Sequence, residues 1–331
     1  MMRFMSMLMA AGLAALLACS NGGAAAAPKR PCLADVKKLC GLSRDREKIR
    51  ACLIEKQDQL SQGCRAKIKE MRGAKDGAAI PAQKQPYGND PKQISYVYPA
   101  MVGGRPPLIA FIHGGGWIHG DPVNTVWNKP AHFTQGYAFA SIGYRLSPQV
   151  SIEEEARDVA AAIGALRRDA NRLGFDPDRI ILMGHSAGAH LAALVSTDSR
   201  YLGSDFGAVR GVVLLDGAGY DVASVMKGHG IEQRIYARAW GRDEAEWARL
   251  SPIHHTAAPN APHWAILYVG SREESGNQSK AFVAALQQGG ADAVVTAIPD
   301  TTHGRLNHEL GTAGDYATDV VDAFVKTVVA G

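Results

Sequence analysis

The string Gly184-His185-Ser186-Ala187-Gly188 stands between the apolar run Ile180-Ile181-Leu182-Met183 and the stretch Ala189-His190-Leu191-Ala192-Ala193-Leu194. A short apolar run, a glycine-flanked break and a second apolar stretch read as a buried strand, a sharp turn and a helix. Glycine at both ends lets the backbone take that turn without a Cβ clash. Ser186 then sits at the apex, with the N–H of Ala187 beside it at a helix N-terminus. A second motif reinforces the first: His113-Gly114-Gly115-Gly116-Trp117 follows another apolar run, Leu108 to Ile112. Acyl transfer needs a nucleophile and N–H donors aimed at a developing oxyanion. Ser186 is the candidate nucleophile. The backbone N–H groups of Gly114, Gly115, Gly116 and Ala187 are the candidate oxyanion donors. The glycine run leads into Trp117-Ile118 and not into a helix opening with Lys-Ser/Thr, which argues against a phosphate loop.

Around these motifs strands and helices alternate. Strands are expected at Ile94 to Tyr98, Leu108 to Ile112, Ala138 to Gly143, from Ile180, Gly211 to Leu215, Trp264 to Val269 and Val294 to Ile298. Helices are expected at Ile152 to Leu173, after Ser186, at Gln278 to Gln288 and at Asp315 to Val329. That alternation predicts an α/β domain over residues 91–331, with a mainly parallel sheet covered on both faces. Asp158, Asp216 and Asp221 lie near element ends and read as caps or structural pairs. His254-His255 reads as a loop pair. The segment Tyr220 to Ala258, with Tyr236, Trp240 and Trp247, reads either as a cover over a substrate pocket or as a packed surface helix pair.

The N-terminal part reads differently. Met5 to Ala18 is apolar or small and too short to span a bilayer, so residues 1–27 read as a signal peptide. Two exits are open: Leu16-Leu17-Ala18-Cys19 resembles a lipobox with Cys19 lipidated, and Ala24 to Ala27 offers an A-x-A cleavage site. The chain is therefore expected to be exported, as a periplasmic or outer-membrane lipoprotein or otherwise secreted. Four of its five cysteines fall between Cys32 and Cys64. An even set in a short exported segment predicts disulfides. Apolar and Cys positions at helical spacing predict two or three short helices over residues 28–72. Nested pairing, Cys40 with Cys52 and Cys32 with Cys64, would suit an antiparallel helical hairpin, one of three possible connectivities. Residues 73–90, rich in Gly, Ala, Pro and Gln, read as a linker. The net charge of +4 is too small to argue for nucleic acid. The basic residues Lys37, Lys38, Arg44, Arg46, Lys48 and Arg50 read as a solvated helix face; the alternative is attraction to anionic envelope components.

The segment Cys32, Cys40, Cys52-Leu53 and Cys64 resembles the cysteine-rich repeat of the Golgi sialoglycoprotein family. Residues 87–330 resemble the α/β-hydrolase fold. The likeness is closest to the esterase branch with hormone-sensitive-lipase-like carboxylesterases, feruloyl-esterase-like proteins and kynurenine formamidase. The residues that carry it are Tyr87-Gly88, His113 to Trp117, Tyr144-Arg145-Leu146-Ser147, Gly174-Phe175-Asp176-Pro177, Gly184 to Gly188 and Thr302-His303-Gly304. The resemblance implies a Ser, acid, His order along the chain and makes His303 the base, with His308 as its rival. It places the acid just past Val269-Gly270, where Glu273 stands at a familiar spacing and Glu274 one step on. The expected activity is hydrolysis of short acyl esters through a Ser-His-Glu triad and an acyl-enzyme. The alternatives are an arylformamidase-type amide hydrolase and an inactive scaffold that binds an envelope partner. No cofactor or metal is implied. The expected partner is a small-molecule ester or an acylated polymer.

Overall fold

Continuous apolar runs, unlike alternating ones, form strands covered on both faces. Every residue of Leu108–Ile112 (β3), Ala138–Ile142 (β4) and Ile180–His185 (β5) is buried. The computed structural model describes residues 32–41, 49, 52–53, 56, 59–65, 80–217, 219–228 and 231–330. The other strands are Gln83–Pro86 (β1), Ile94–Tyr98 (β2), Val209–Leu215 (β6), His263–Val269 (β7) and Asp292–Ile298 (β8). They form one sheet in the order β1-β2-β4-β3-β5-β6-β7-β8. The pairings of β1 with β2 and of β2 with β4 are antiparallel, and all the others are parallel.

The helices that position the site are Lys129–Phe133 (α1), Ile152–Arg168 (α2), Ala187–Thr197 (α3), Val222–Lys227 (α4), Ile231–Trp240 (α5), Glu244–Arg249 (α6), Glu273–Gln288 (α7), His303–Glu309 (α8) and Tyr316–Ala330 (α9). Side chains alternate across the sheet, so each face has its own core. Leu108, Ala110 and Ile112 pack with α2, α3 and α7 through residues such as Val159, Leu191 and Phe282. Ile109 and Phe111 pack with α1, α8 and α9 through Phe133, Leu306 and Val321. Helix α2 starts with a capping box, Ser151 with Glu154, which satisfies two otherwise unpaired backbone donors.

Most expected elements appear with ends shifted by a few residues. The expected linker 73–90 is corrected in part, because β1 lies inside it. This edge strand is mostly polar and ends in Pro86. Proline is tolerated at an edge, and the strand has too little apolar alternation to announce itself.

Residues 1–72 and 73–331 form separate compact units. In the first, disulfides join Cys32 to Cys64 and Cys40 to Cys52, the nested pairing. The chain is helical over residues 33–40 and 62–65. The Asp35 carboxylate accepts hydrogen bonds from the Ser61 N–H at 3.1 Å and the Ser61 hydroxyl at 2.7 Å. So small a segment buries little apolar surface, and such cross-links commonly replace a core. The expected signal segment, Cys19, Arg44, Arg46, Lys48 and Arg50 lie outside the described residues.

Candidate active site

Parallel strands collect the ends of β3, β5, β6 and β8 on one edge of the sheet, where open α/β sheets bind ligands. Ile112 of β3 pairs with Gly184 of β5, and His185 pairs with Leu215 of β6. The next residues along these strands are therefore neighbours: His113, Ser186 and Asp216. Ser186 has φ +56° and ψ −122° and directly precedes α3. Its N–H donates to the Leu215 carbonyl at 3.1 Å. A strained turn of this kind costs on the order of 1–3 kcal/mol and persists only where its surroundings over-determine it. Here close backbone packing does so. A Cβ on Gly188 would lie 2.2 Å from the Ile112 oxygen, and one on Gly184 would lie 2.3 Å from the Gly188 oxygen.

His303 opens α8. Its Nε2 is 3.0 Å from Ser186 Oγ. Its Nδ1 is 2.7 Å from Asp216 Oδ2. A carboxylate can only accept, so Nδ1 carries the proton and Nε2 is left to accept from the serine. The Asp216 side chain is fully buried, whereas that of His303 is 39% exposed.

The structure corrects the acid. The carboxylate that meets His303 is Asp216, not Glu273 or Glu274. Both glutamates are exposed in the first turn of α7, and Glu274 accepts a hydrogen bond from Gln278 Nε2 at 3.1 Å. The reason is topological. Leu215 lies beside both the nucleophile strand and β7, so a side chain leaving the end of β6 is already within reach of both Ser186 and His303. Asp158 and Asp221 fit the structural reading: Asp158 pairs with Arg145, and Asp221 caps α4.

Asp216 is held by four donors. Besides His303 they are the Val269 N–H at 3.0 Å, the Ser275 hydroxyl at 2.8 Å and the Arg272 guanidinium. Burial alone would push this carboxyl up. The bond from His303, the Arg272 charge and the Val269 N–H outweigh it and hold the carboxyl well below the usual range. Arg272 Nη1 also lies 2.9 Å from His303 Nδ1. Both nitrogens are donors, and Asp216 Oδ2 is the acceptor they share. Ser275 and Arg272 were not anticipated from sequence as members of the site.

Gly115 has φ +141°, and a Cβ there would lie 2.0 Å from the His119 oxygen. The Ile118 and His119 N–H groups bond back to the Gly115 carbonyl. Among the described residues the N–H groups of Gly114, Gly115, Gly116 and Ala187 have no protein acceptor, as an oxyanion hole requires. A Cβ on Gly114 would lie 3.0 Å from the Ser186 Cβ, which places the glycine run beside the serine.

Two buried histidines support these parts. His185 Nε2 donates to the His303 carbonyl at 3.0 Å. Burial, then the neighbouring His303, push its pKa well down, so it acts as a neutral strut. Burial brings His190 to about 4. It accepts from Trp117 Nε1 at 3.3 Å and donates to the Leu250 carbonyl at 2.8 Å. Trp117 meets Tyr236 and Trp240 of α5 edge-on, with centroids 4.7 and 5.3 Å apart. The segment Tyr220 to Ala258 therefore packs directly on the glycine loop. The ring of His308, the alternative base, lies tilted against that of Trp127, with centroids 3.9 Å apart.

The comparisons agree with this architecture. The family model described as BD-FAE matches residues 96–211. An isoprenylcysteine alpha-carbonyl methylesterase, ICME of Arabidopsis thaliana, is 28% identical over 243 residues, covering 66% of this chain and 55% of that protein. The chain thus spans about half the length of this curated relative. Thermogutta terrifontis esterase 2, phosphonylated by sarin, superposes with a TM-score of 0.63 at 21% identity, over 75% of this chain and 96% of the other. Esterase B from Lactobacillus Rhamnosis gives a TM-score of 0.64 at 22% identity, over 81% and 93%. The described residues from 80 to 330 have the α/β-hydrolase fold.

Proposed function

We propose that this chain is a serine hydrolase that cleaves carboxylic esters through Ser186, His303 and Asp216. One observation carries the reading: the continuous relay from Ser186 Oγ through His303 to the buried Asp216, with contacts of 3.0 and 2.7 Å. His303 Nε2 takes the hydroxyl proton as Oγ attacks the ester carbonyl. The carbonyl oxygen becomes an oxyanion facing the N–H groups of Gly115, Gly116 and Ala187. His303, now doubly protonated and paired with Asp216, passes its proton to the leaving alcohol. Water, deprotonated by the same imidazole, then releases the acid. Each oxyanion donor of this kind is worth about 10²–10³ in rate. The esterase names carried by the relative and the structural neighbours support an ester as the substrate.

The acyl group in this reading is short, about two to four carbons. Helix α5 turns Tyr236 and Trp240 inward and Arg234 and Arg238 outward. A surface-active lid would present a continuous apolar outer face. An N-terminal signal and a cysteine-rich repeat complete the proposal, with export as a lipoprotein or as a free protein. The test is kcat/KM along a p-nitrophenyl ester series. A maximum at two to four carbons supports the reading. A maximum at ten carbons or more contradicts the short acyl group, and hydrolysis of formamides in preference to esters moves the activity to amides.

A further inference from the structure

Lys129 is buried along its whole length, and no catalytic step uses it. Its Nζ donates to the Asn307 carbonyl at 2.6 Å and to Asn307 Oδ1 at 2.8 Å. It also lies 4.7 Å from the centre of the Phe111 ring on β3. The neighbouring residues reach the same place. Asn128 Nδ2 donates to the His308 carbonyl at 2.8 Å and to Thr312 Oγ1 at 3.0 Å. Asn307 Nδ2 returns a bond of 3.3 Å to the Thr125 carbonyl.

Asn307 and His308 lie in the last turn of α8, whose first residue is His303. The final carbonyls of a helix have no partner within it. A cation at that end also suits the helix dipole. A helix of seven residues is marginal alone, so outside contacts fix its position. At one end these are Asp216 and His185. At the other they are Lys129 and Asn128, on the chain that continues from the glycine loop. A buried cation held by a carbonyl, an amide and a ring costs more than a packed apolar side chain. Burial has already pushed this ammonium down to about 7. What the lysine supplies and an apolar residue cannot is a directional hold on α8.

We propose that Lys129 is a positioning residue for the reaction: its ammonium pins the end of α8 and so keeps His303 Nε2 at bonding distance from Ser186 Oγ. The kinetic part of this inference rests on the proposed hydrolase activity. The test is Lys129→Met, which fills the space and removes the donors. Its kcat on p-nitrophenyl acetate is expected to fall about 10- to 100-fold with KM within about twofold, the size of effect that small misplacement of a catalytic group produces. Amide hydrogen exchange over residues 303–309 should accelerate by about the same factor. A merely structural lysine would lower the melting temperature and leave kcat per folded molecule unchanged; that result overturns the proposal. If Lys129→Met does not fold, Asn307→Leu, which keeps the carbonyl contact and loses Oδ1 together with the Nδ2 bond to Thr125, is expected to lower kcat about three- to tenfold. An unchanged kcat there overturns it equally. A wild-type protein that cleaves no ester refutes the function instead. Exchange over residues 303–309 still decides the inference, since unaltered protection in the variant refutes the hold.

Discussion

Ser186 and His303 meet at 3.0 Å, yet they are held by different physics. The serine is fixed by backbone sterics. Its turn has a positive φ, and no side chain fits at the glycines on either side. The histidine is fixed by polar side chains from four other segments: Asp216, Arg272 through Asp216, His185 and, through Asn307, Lys129. Steric confinement is all or none, because a Cβ in the Gly188 position must displace backbone. A hydrogen-bonded cradle is graded, because each partner removed leaves the others. Changes at the serine should therefore abolish turnover, while changes around the histidine should form a ladder.

Above that ladder stands Ser186→Ala, expected to lower p-nitrophenyl acetate turnover by about 10⁴-fold or more by removing the covalent route. Asp216→Asn comes next, at about 10³- to 10⁴-fold in kcat. The amide no longer forces the tautomer in which Nε2 accepts the serine proton. Glu273→Gln and Glu274→Gln should each stay within about twofold of wild type. Steady-state kinetics on the four variants checks the order; a Glu273→Gln defect as large as that of Asp216→Asn would restore the acid expected from sequence.

The smallest effect on activity belongs to Glu155, away from this cradle. Its buried carboxyl accepts the Ser147 N–H at 3.0 Å, and its second oxygen has no partner among the described residues. Burial pushes it up to about 9. The folded state thus prefers the protonated acid. Its contribution to stability is fully present below the unfolded value and is lost as pH rises toward about 9. Glutamine cannot ionise, so Glu155→Gln should gain on wild type by up to about 4 kcal/mol between pH 5 and pH 8, at about 1.4 kcal/mol per pH unit, with activity within about twofold. Urea midpoints across that pH range measure it; a gap that shrinks with rising pH refutes the assignment.

The same contrast explains what could be read in the sequence. The nucleophile turn and the glycine loop are legible because sterics demand glycine at fixed spacing. The buried strands are legible as continuous apolar runs, and the cysteine set is legible because covalent pairing needs only count and context. The acid is not legible in this way. Any carboxylate that reaches Nδ1 will serve, and Glu273, Glu274 and Asp216 all follow strands. The available signal was Leu214-Leu215-Asp216-Gly217, a charged residue at the very end of an apolar run. Only the sheet order shows that β6 lies beside the nucleophile strand. Lys129 was invisible for a related reason, since a lone lysine before a proline gives no hint of burial.

The proposed reaction makes Ser186 a nucleophile activated by His303. Its most direct test is reaction with a fluorophosphonate, followed by mapping of the adduct by mass spectrometry. One adduct per chain is expected, on Ser186, with labelling slowed at least about 10³-fold in His303→Ala. An adduct on another residue, no adduct in the folded protein, or undiminished labelling of His303→Ala would contradict it.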